Sequence, residues 1–173
     1  MSGRGDLSGC GEPGGRVRIR PASPADVVLI YSFIVELAEY ERAPEQVTGT
    51  PQLLAESLFG PQPTAEALIA ELDGTPAGFA VFHGTFSTWE CRPGIWLEDL
   101  YVPERFRRAG VGRALLQHLA ALTVERGCTR LEWTALDWNT PALAFYERLG
   151  ATRLSAWELH RLDGEALRHV ATA

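Results

Sequence analysis

The spacing of apolar residues changes several times along the chain, and each change predicts a new element. Period-two alternation, as in residues 17–20, is typical of a half-buried strand, whereas apolar residues three and four apart, as in residues 111–124, are typical of a helix face. Pro, Gly, Ser and Asn residues mark where these runs start and stop. The predicted elements are, in order, a strand over 17–20, helices over 24–40 and 50–58, strands over 67–72, 77–82 and 95–102, a helix over 111–124, a strand over 131–136, a helix over 141–149, and final strands over 152–162 and 167–170.

This order predicts one α/β (α+β mixed) domain built on a mixed sheet. A chain of 173 residues with 46% hydrophobic residues is long enough for one substantial core and short for two. The domain is expected to cover residues 17–173. Residues 1–16 are rich in glycine and contain almost nothing that could be buried, so they are predicted to be a disordered leader.

Charge and cysteine usage narrow the class of protein. A net charge of −6 argues against binding to duplex nucleic acid, because such binding depends on Lys and Arg neutralising phosphates. Cys10, Cys91 and Cys128 lack the paired spacing of zinc or redox sites, so no metal is expected. No apolar stretch has the length and composition of a signal peptide or a membrane span. A cytoplasmic protein with no nucleic-acid or membrane partner is therefore expected.

Residues 96–112, WLEDLYVPERFRRAGVG, carry the clearest chemical signal. A strand is followed by an arginine-rich turn and by Gly110-x-Gly112 at a helix start, where free amides and the helix dipole favour a phosphate. The segment lacks the third glycine of a dinucleotide fingerprint and the Gly-Lys-Ser/Thr of a P-loop. An ordinary helix start, with glycines for packing and arginines for solubility, is the alternative.

The segment Arg107-Arg108-Ala109-Gly110-Val111-Gly112 resembles the R-x-x-G-x-G acyl-CoA loop of the GNAT N-acetyltransferase superfamily. The resemblance implies a mixed, mostly antiparallel sheet of six to seven strands flanked by about four helices. It also implies that acetyl-CoA is the co-substrate, that amides from Arg108 to Arg113 hold its pyrophosphate, and that a bulge splays the strand that pairs with pantetheine. The implied cofactor-binding residues are Leu100, Tyr101, Val102, Arg107, Arg108, Ala109, Gly110, Val111, Gly112, Arg113, Asn139, Thr140, Pro141, Ala142 and Tyr146.

Further blocks resemble the diamine acetyltransferase group, and within it the thialysine N-ε-acetyltransferase branch. The blocks that resemble the group are WLEDLYV, LDWN followed by FYERLGA, and ELAEYERAPEQV. The blocks that resemble the thialysine branch are residues 86–89, 126–128 and 164–168. The implied activity is acetyl transfer to the primary amine of a small molecule by direct attack in a ternary complex, with the enzyme a homodimer. The alternatives are a GNAT enzyme acting on a protein amine or another metabolite, and a module that binds acetyl-CoA without turnover.

Acyl transfer to an amine needs a base for the ammonium and an acid for the leaving thiolate. Glu98, in the strand beside the cofactor site, is the candidate base, and it could instead bind the cation without taking its proton. Alternation along a strand predicts that Asp99 points to the opposite face. By resemblance, Tyr146 is the acid. An exposed strand glutamate and a core tyrosine are the alternatives to these two roles.

The resemblance also implies an acceptor pocket lined by carboxylates and aromatic rings, which suit an alkylammonium. Ser87 replaces the aspartate of the spermidine/spermine enzymes, and the acidic stretch before Trp157 is shortened, so a short aminoalkyl substrate is favoured over a long polyamine. The implied substrate-binding residues are Tyr40, Glu41, Ser87, Trp89, Glu98, Glu132, Trp133 and Thr134.

Overall fold

The computed structural model describes residues 15–173. They form two compact units, one ending at Thr134 and the other running from Ala135 to Ala173. The predicted leader lies outside the described residues, apart from Gly15 and Arg16. The elements, in chain order, are β1 Val17–Pro21, α1 Val27–Tyr40, α2 Pro51–Phe59, β2 Glu66–Leu72, β3 Thr75–Ser87, β4 Arg92–Tyr101, α3 Val111–Glu125, β5 Leu131–Glu132, α4 Thr140–Arg148 and α5 Gly164–Ala171.

The first unit is built on one mixed sheet with the strand order β1-β2-β3-β4-β5. The first three pairs are antiparallel and form a meander, whereas β4 and β5 are parallel and are connected through α3. The predicted mixed, mostly antiparallel sheet is confirmed. The described residues contain five strands rather than six to seven, and five α-helices rather than about four.

Both faces of the sheet are covered by helices. On one face, Ile30 and Phe33 of α1 and Leu58 of α2 form a buried cluster with Phe79 and Tyr101 of the sheet, in which the Phe33 and Phe79 rings stack. On the other face α3 packs against β1 to β4 and buries residues Val111, Leu115, Leu116 and Leu119. The helical spacing in the sequence arises from these buried faces.

The start of α1 is fixed by a buried ion-pair network, which we name the Arg20 network (Arg20, Asp26 and Glu71, with Ser23). The Arg20 guanidinium donates two hydrogen bonds of 2.8 Å to the Asp26 carboxylate and one of 2.7 Å to Glu71. Ser23 also donates to Asp26, from its backbone N–H and from its hydroxyl. These bonds hold the pKa of Asp26 well below its usual range, chiefly through the Arg20 hydrogen bonds.

The second unit departs from the sequence prediction. Residues 152–162 form no strand, and the strand predicted over 167–170 is wrong, because Gly164–Ala171 is helical. The strand predicted over 131–136 is limited to Leu131–Glu132. None of the helices in residues 15–173 has the length and apolar character needed to cross a membrane.

Candidate functional site

Strand β4 separates from β5 next to a β-bulge. The parallel pairing consists of Ile95 with Leu131 and Trp96 with Glu132, and β4 continues to Tyr101 beyond it. On the other side of β4 the register shifts, since Val81 pairs with Asp99 and Phe82 with Leu97. Glu98 is therefore the extra residue of a bulge. The bulge that the resemblance implied is present, and the β5-facing edge of residues 97–101 has no strand partner among residues 15–173.

The loop after β4 contains two residues with left-handed backbone conformations just before α3. Arg108 (φ 66°) and Gly110 (φ 84°) both lie in the left-handed region, and Gly110 is the N-cap of α3. The first-turn amides of a helix have no carbonyl acceptor within the helix, so they are available to an anion. The amides of the first turn of α3, which begins at Val111, are therefore the ones in this loop that an anion could reach.

Arg107 is positioned by two contacts within the first unit. Its Nε donates to the carbonyl oxygen of Val102 at 3.1 Å. Its guanidinium carbon lies 4.5 Å from the centre of the Tyr40 ring, at the end of α1. A cation–π contact of this kind ties the loop before α3 to the helix end that carries the predicted acceptor residues Tyr40 and Glu41.

Glu98 and Asp99 lie on the same face of the sheet. The Trp96 Nε1–H donates to Glu98 at 2.9 Å, and Trp96 pairs with His83, whose Nε2 is 3.8 Å from the Glu98 carboxylate. Asp99 pairs with Val81, which shares the face of His83 because the two are two residues apart in β3. The prediction that Asp99 faces the opposite way is wrong, since the bulge at Glu98 interrupts the alternation. We call this face, with His83, Trp96, Glu98 and Asp99, the acceptor face.

The two carboxylates have different surroundings. The Glu98 side chain is 58% exposed, whereas Asp99 is partly buried and has no hydrogen-bond or ion-pair partner within residues 15–173. Burial, followed by the charges of Glu98 and Glu41, raises the pKa of Asp99 from 3.8 to about 6. Burial also raises the pKa of Tyr101, whose hydroxyl donates to Glu36 at 3.3 Å.

The remaining predicted acceptor residues fall into two groups. Glu132 lies on the acceptor face because it pairs with Trp96. Its carboxylate accepts a hydrogen bond of 2.6 Å from the Arg130 Nε. Trp133 and Thr134 follow directly after β5. Ser87 and Trp89 lie at the far end of the β3–β4 hairpin. Ser87 is five residues beyond Phe82 in β3, which corresponds to roughly 16 Å along the strand. Within a single chain, Ser87 and Trp89 therefore lie far from Glu98.

The second unit carries the remaining predicted cofactor residues and the candidate acid on α4. The Asn139 side chain accepts a hydrogen bond from the Ala142 N–H at 3.3 Å and caps the helix, as predicted, with Thr140 and Pro141 in its first turn. Tyr146 lies in the last turn, where its ring centre is 5.5 Å from that of Phe145. The predicted helix over 141–149 is confirmed, and Gly150 follows it at φ 84°.

A separate depression of about 390 Å³ lies between α1 and α2. It is lined mainly by small and apolar side chains, among them Tyr31, Ile34 and Leu54, and by none of the predicted site residues. Because no carboxylate lines it, it offers an ammonium group no counter-charge. Within residues 15–173, no cluster of His, Cys, Asp and Glu side chains is arranged to hold a metal ion.

The acetyltransferase (GNAT) family matches residues 30–151, which include the splayed strand, the loop and α3. The chain belongs to the GNAT family. It is accordingly an enzyme of the acyltransferase class.

Similar proteins match this GNAT chain over nearly its whole length. Thialysine N-epsilon-acetyltransferase of Bos taurus is 35% identical over 166 residues, which cover 90% of this chain and 97% of the relative. L-ornithine N5-acetyltransferase of Arabidopsis thaliana is 28% identical over 88% of this chain and 87% of its own length. An integron cassette protein from the mobile metagenome of V. cholerae has a solved structure that matches with a TM-score of 0.75 and 27% identity, covering 91% of this chain and 98% of that one.

Proposed function

We propose that this GNAT enzyme transfers the acetyl group of acetyl-CoA to the primary amine of a small lysine-like molecule or diamine, by direct attack in a ternary complex. The observation that carries the proposal is the bulge at Glu98 in the strand leading to the phosphate-binding loop. It combines an open strand edge for the pantetheine arm with carboxylates for an ammonium group. The relatives named for thialysine and L-ornithine support an aminoalkyl acceptor.

In this mechanism the cofactor is held by main-chain groups. Amides of residues 108–113 would bind the pyrophosphate, and the edge of residues 100–102 would hydrogen-bond the pantetheine amides. Asn139 to Ala142 would contact the same cofactor. Acetyl-CoA, when bound, supplies the thioester carbonyl that the amine attacks.

The acceptor ammonium would be bound by Glu98, with Glu41, Glu132 and the ring of Tyr40 completing its surroundings. Glu98 would also be a candidate to take its proton, directly or through water. Trp133 and Thr134 would line the same pocket. The Tyr146 phenol would donate a proton to the departing thiolate, because a phenol is protonated at neutral pH.

We propose in addition that the enzyme acts as a homodimer in the cytoplasm. The hairpin end exposes Phe86 by 63% and Trp89 by 87%. Since Ser87 and Trp89 lie far along the hairpin from Glu98, their proposed role in acceptor binding requires a second copy of the chain.

The function is tested by measuring release of free thiol from acetyl-CoA with lysine, thialysine, ornithine, putrescine, spermidine and a lysine-containing peptide. We expect rapid release with the short aminoalkyl substrates, slower release with spermidine and little with the peptide. Mass spectrometry should find an acetyl group on the side-chain amine. Preference for the peptide would favour a protein acceptor, and acetyl-CoA binding without release for any amine would favour a non-catalytic module.

The cofactor site is tested by Gly110→Ala. A Cβ at this position meets no atom within 4 Å, but φ is 84°, which strains any residue other than glycine. The substitution should therefore cost about 1 kcal/mol in stability. It should also weaken acetyl-CoA binding about three- to ten-fold, because the loop amides shift. Titration calorimetry with acetyl-CoA measures the second effect.

Gly127→Ala is the matched control for the strain. Gly127 also has a positive φ, 67°, and open space for a Cβ, but it lies at the other end of α3. It should lose similar stability and keep the acetyl-CoA affinity. Equal affinity in both variants would mean that the loop at Gly110 does not bind the pyrophosphate.

A further inference from the structure

Two neighbouring carboxylates of β4, Glu98 and Asp99, lie on the acceptor face, and only Glu98 has a hydrogen-bond donor among residues 15–173. Glu98 accepts a hydrogen bond from the Trp96 indole and lies 3.8 Å from the His83 ring, with more than half of its side chain in solvent. Asp99 is partly buried one residue further along β4, and no donor among residues 15–173 contacts it.

We propose that Asp99 is the catalytic base of the acetyl transfer, and that Glu98 binds the acceptor cation. The inference rests on the proposed function and divides the two roles that Glu98 would otherwise combine. The bulge is what permits it, because an uninterrupted strand would place Asp99 on the opposite face from Glu98. The Trp96 indole N–H donates to Glu98, as suits a binding group, whereas no donor among residues 15–173 contacts the carboxylate oxygens of Asp99.

The surroundings of Asp99 favour proton uptake near neutral pH. Burial, Glu98 and Glu41 raise its pKa to about 6, which makes it a stronger base than a carboxylate with the ordinary value. The neighbouring groups that titrate or carry charge come from every element around this face: Glu36 and Glu41 from α1 and its end, His83 from β3, Glu98 and Tyr101 from β4, Arg107 from the following loop and Glu132 from β5.

The reaction removes two protons from the acceptor nitrogen. Asp99 takes one proton from the ammonium and becomes a neutral carboxylic acid, and the freed amine attacks the thioester carbonyl. The C–N bond forms, the C–S bond breaks, and the second proton of the nitrogen passes through water to replace the proton that Tyr146 gives to the departing thiolate. One proton ends on the sulfur of coenzyme A, delivered by Tyr146 in the proposed mechanism, and the other returns to water when Asp99 ionises again.

The first test is the pH dependence of kcat/KM for thialysine at saturating acetyl-CoA, in wild type and in Asp99→Asn. Wild-type kcat/KM should rise with pH through a midpoint of about 6, as Asp99 loses its proton. Asp99→Asn should be about a hundred-fold slower or more, without that rise and with unchanged acetyl-CoA affinity. Its melting temperature at pH 8 should be no lower than that of wild type, because the amide removes a charge that burial disfavours.

Glu39→Gln, which removes an exposed carboxylate from α1, is the control and should behave as wild type.

A second variant keeps Asp99 and tests it through its neighbour. Glu98→Gln should raise the KM for thialysine and move the acid midpoint of kcat/KM downward by about half a pH unit or more, because a like charge beside Asp99 is lost. A purely structural Asp99 would give no such shift. This measurement holds even if Asp99→Asn fails to fold.

The outcomes separate the inference from the function on which it rests. An active wild type, together with a folded Asp99→Asn whose kcat/KM and pH profile match it, would overturn the role of Asp99 and leave the acetyltransferase proposal intact. So would an acid midpoint that stays in place in Glu98→Gln. A wild type that releases no thiol with any amine of the panel would remove both.

Discussion

Tyr146→Phe is expected to lower kcat about ten- to a thousand-fold while the dissociation constant for acetyl-CoA changes little. The substitution removes one hydroxyl from α4 and keeps the ring that lies against Phe145. The loss corresponds to the usual contribution of a general acid, here protonation of the thiolate as it leaves. Steady-state kinetics with thialysine and calorimetry with acetyl-CoA measure the two quantities.

The matched control is Tyr31→Phe. The Tyr31 hydroxyl donates to the carbonyl oxygen of Gly49 at 3.0 Å, and Tyr31 lines the depression between α1 and α2, which contains none of the predicted site residues. Its removal should leave kcat unchanged. If Tyr146→Phe turned over as fast as this control, Tyr146 would have no part in proton transfer, and the thiolate would leave unprotonated or take its proton from water.

Helices α1 to α4 and the first hairpin were predictable because their signals are local. Thr50 before Pro51 caps α2 by accepting a hydrogen bond from Leu53, and Asn139 caps α4 in the same manner. Residues 73–74 form the tight turn between β2 and β3 at positive φ, as the Asp-Gly pair indicates. In each case, the residues that determine the element lie within it or next to it.

The C-terminal helix was missed although a signal was present. The sequence predicted strands over 152–162 and 167–170 on either side of residues 163–166, whereas Asp163 is the N-cap of α5. Glu165 in its first turn and Arg168 and His169 in its last turn have the charge order that favours a helix. Two apolar residues, Leu167 and Val170, were too few to distinguish a helical period from a strand.

The arrangement of the candidate site depends on pairing, which no local pattern encodes. Alternation placed Glu98 and Asp99 on opposite faces, and only the register against Val81 and Phe82 puts the bulge at Glu98. The glycines of the loop, in contrast, marked the start of α3 directly, since Gly110 adopts a backbone that favours glycine. The backbone geometry at the start of α3 could therefore be predicted from the sequence, and the relation of the two carboxylates could not.

Arg20→Met is expected to destabilise the protein by about 3 kcal/mol. The Arg20 network is a second feature that the alternation of apolar and charged residues in β1 does not predict. Asp26 is only 8% exposed, so the loss of its two hydrogen bonds from Arg20 would leave a buried carboxylate paired only with Ser23. Urea unfolding at pH 7 measures the effect. Arg18→Met, the same substitution at an exposed position of β1, should change stability by less than about 0.5 kcal/mol.

The effect of Arg20→Met should also depend on pH in a defined direction. Because the Arg20 hydrogen bonds hold the pKa of Asp26 below 3.8, the stabilisation they give is present above that value and is lost as the pH falls toward the folded-state pKa. The difference between wild type and Arg20→Met should therefore be largest at neutral pH and shrink below about pH 4. A difference independent of pH would mean that Arg20 stabilises β1 and α1 through the packing of its aliphatic stem rather than through the charge of Asp26.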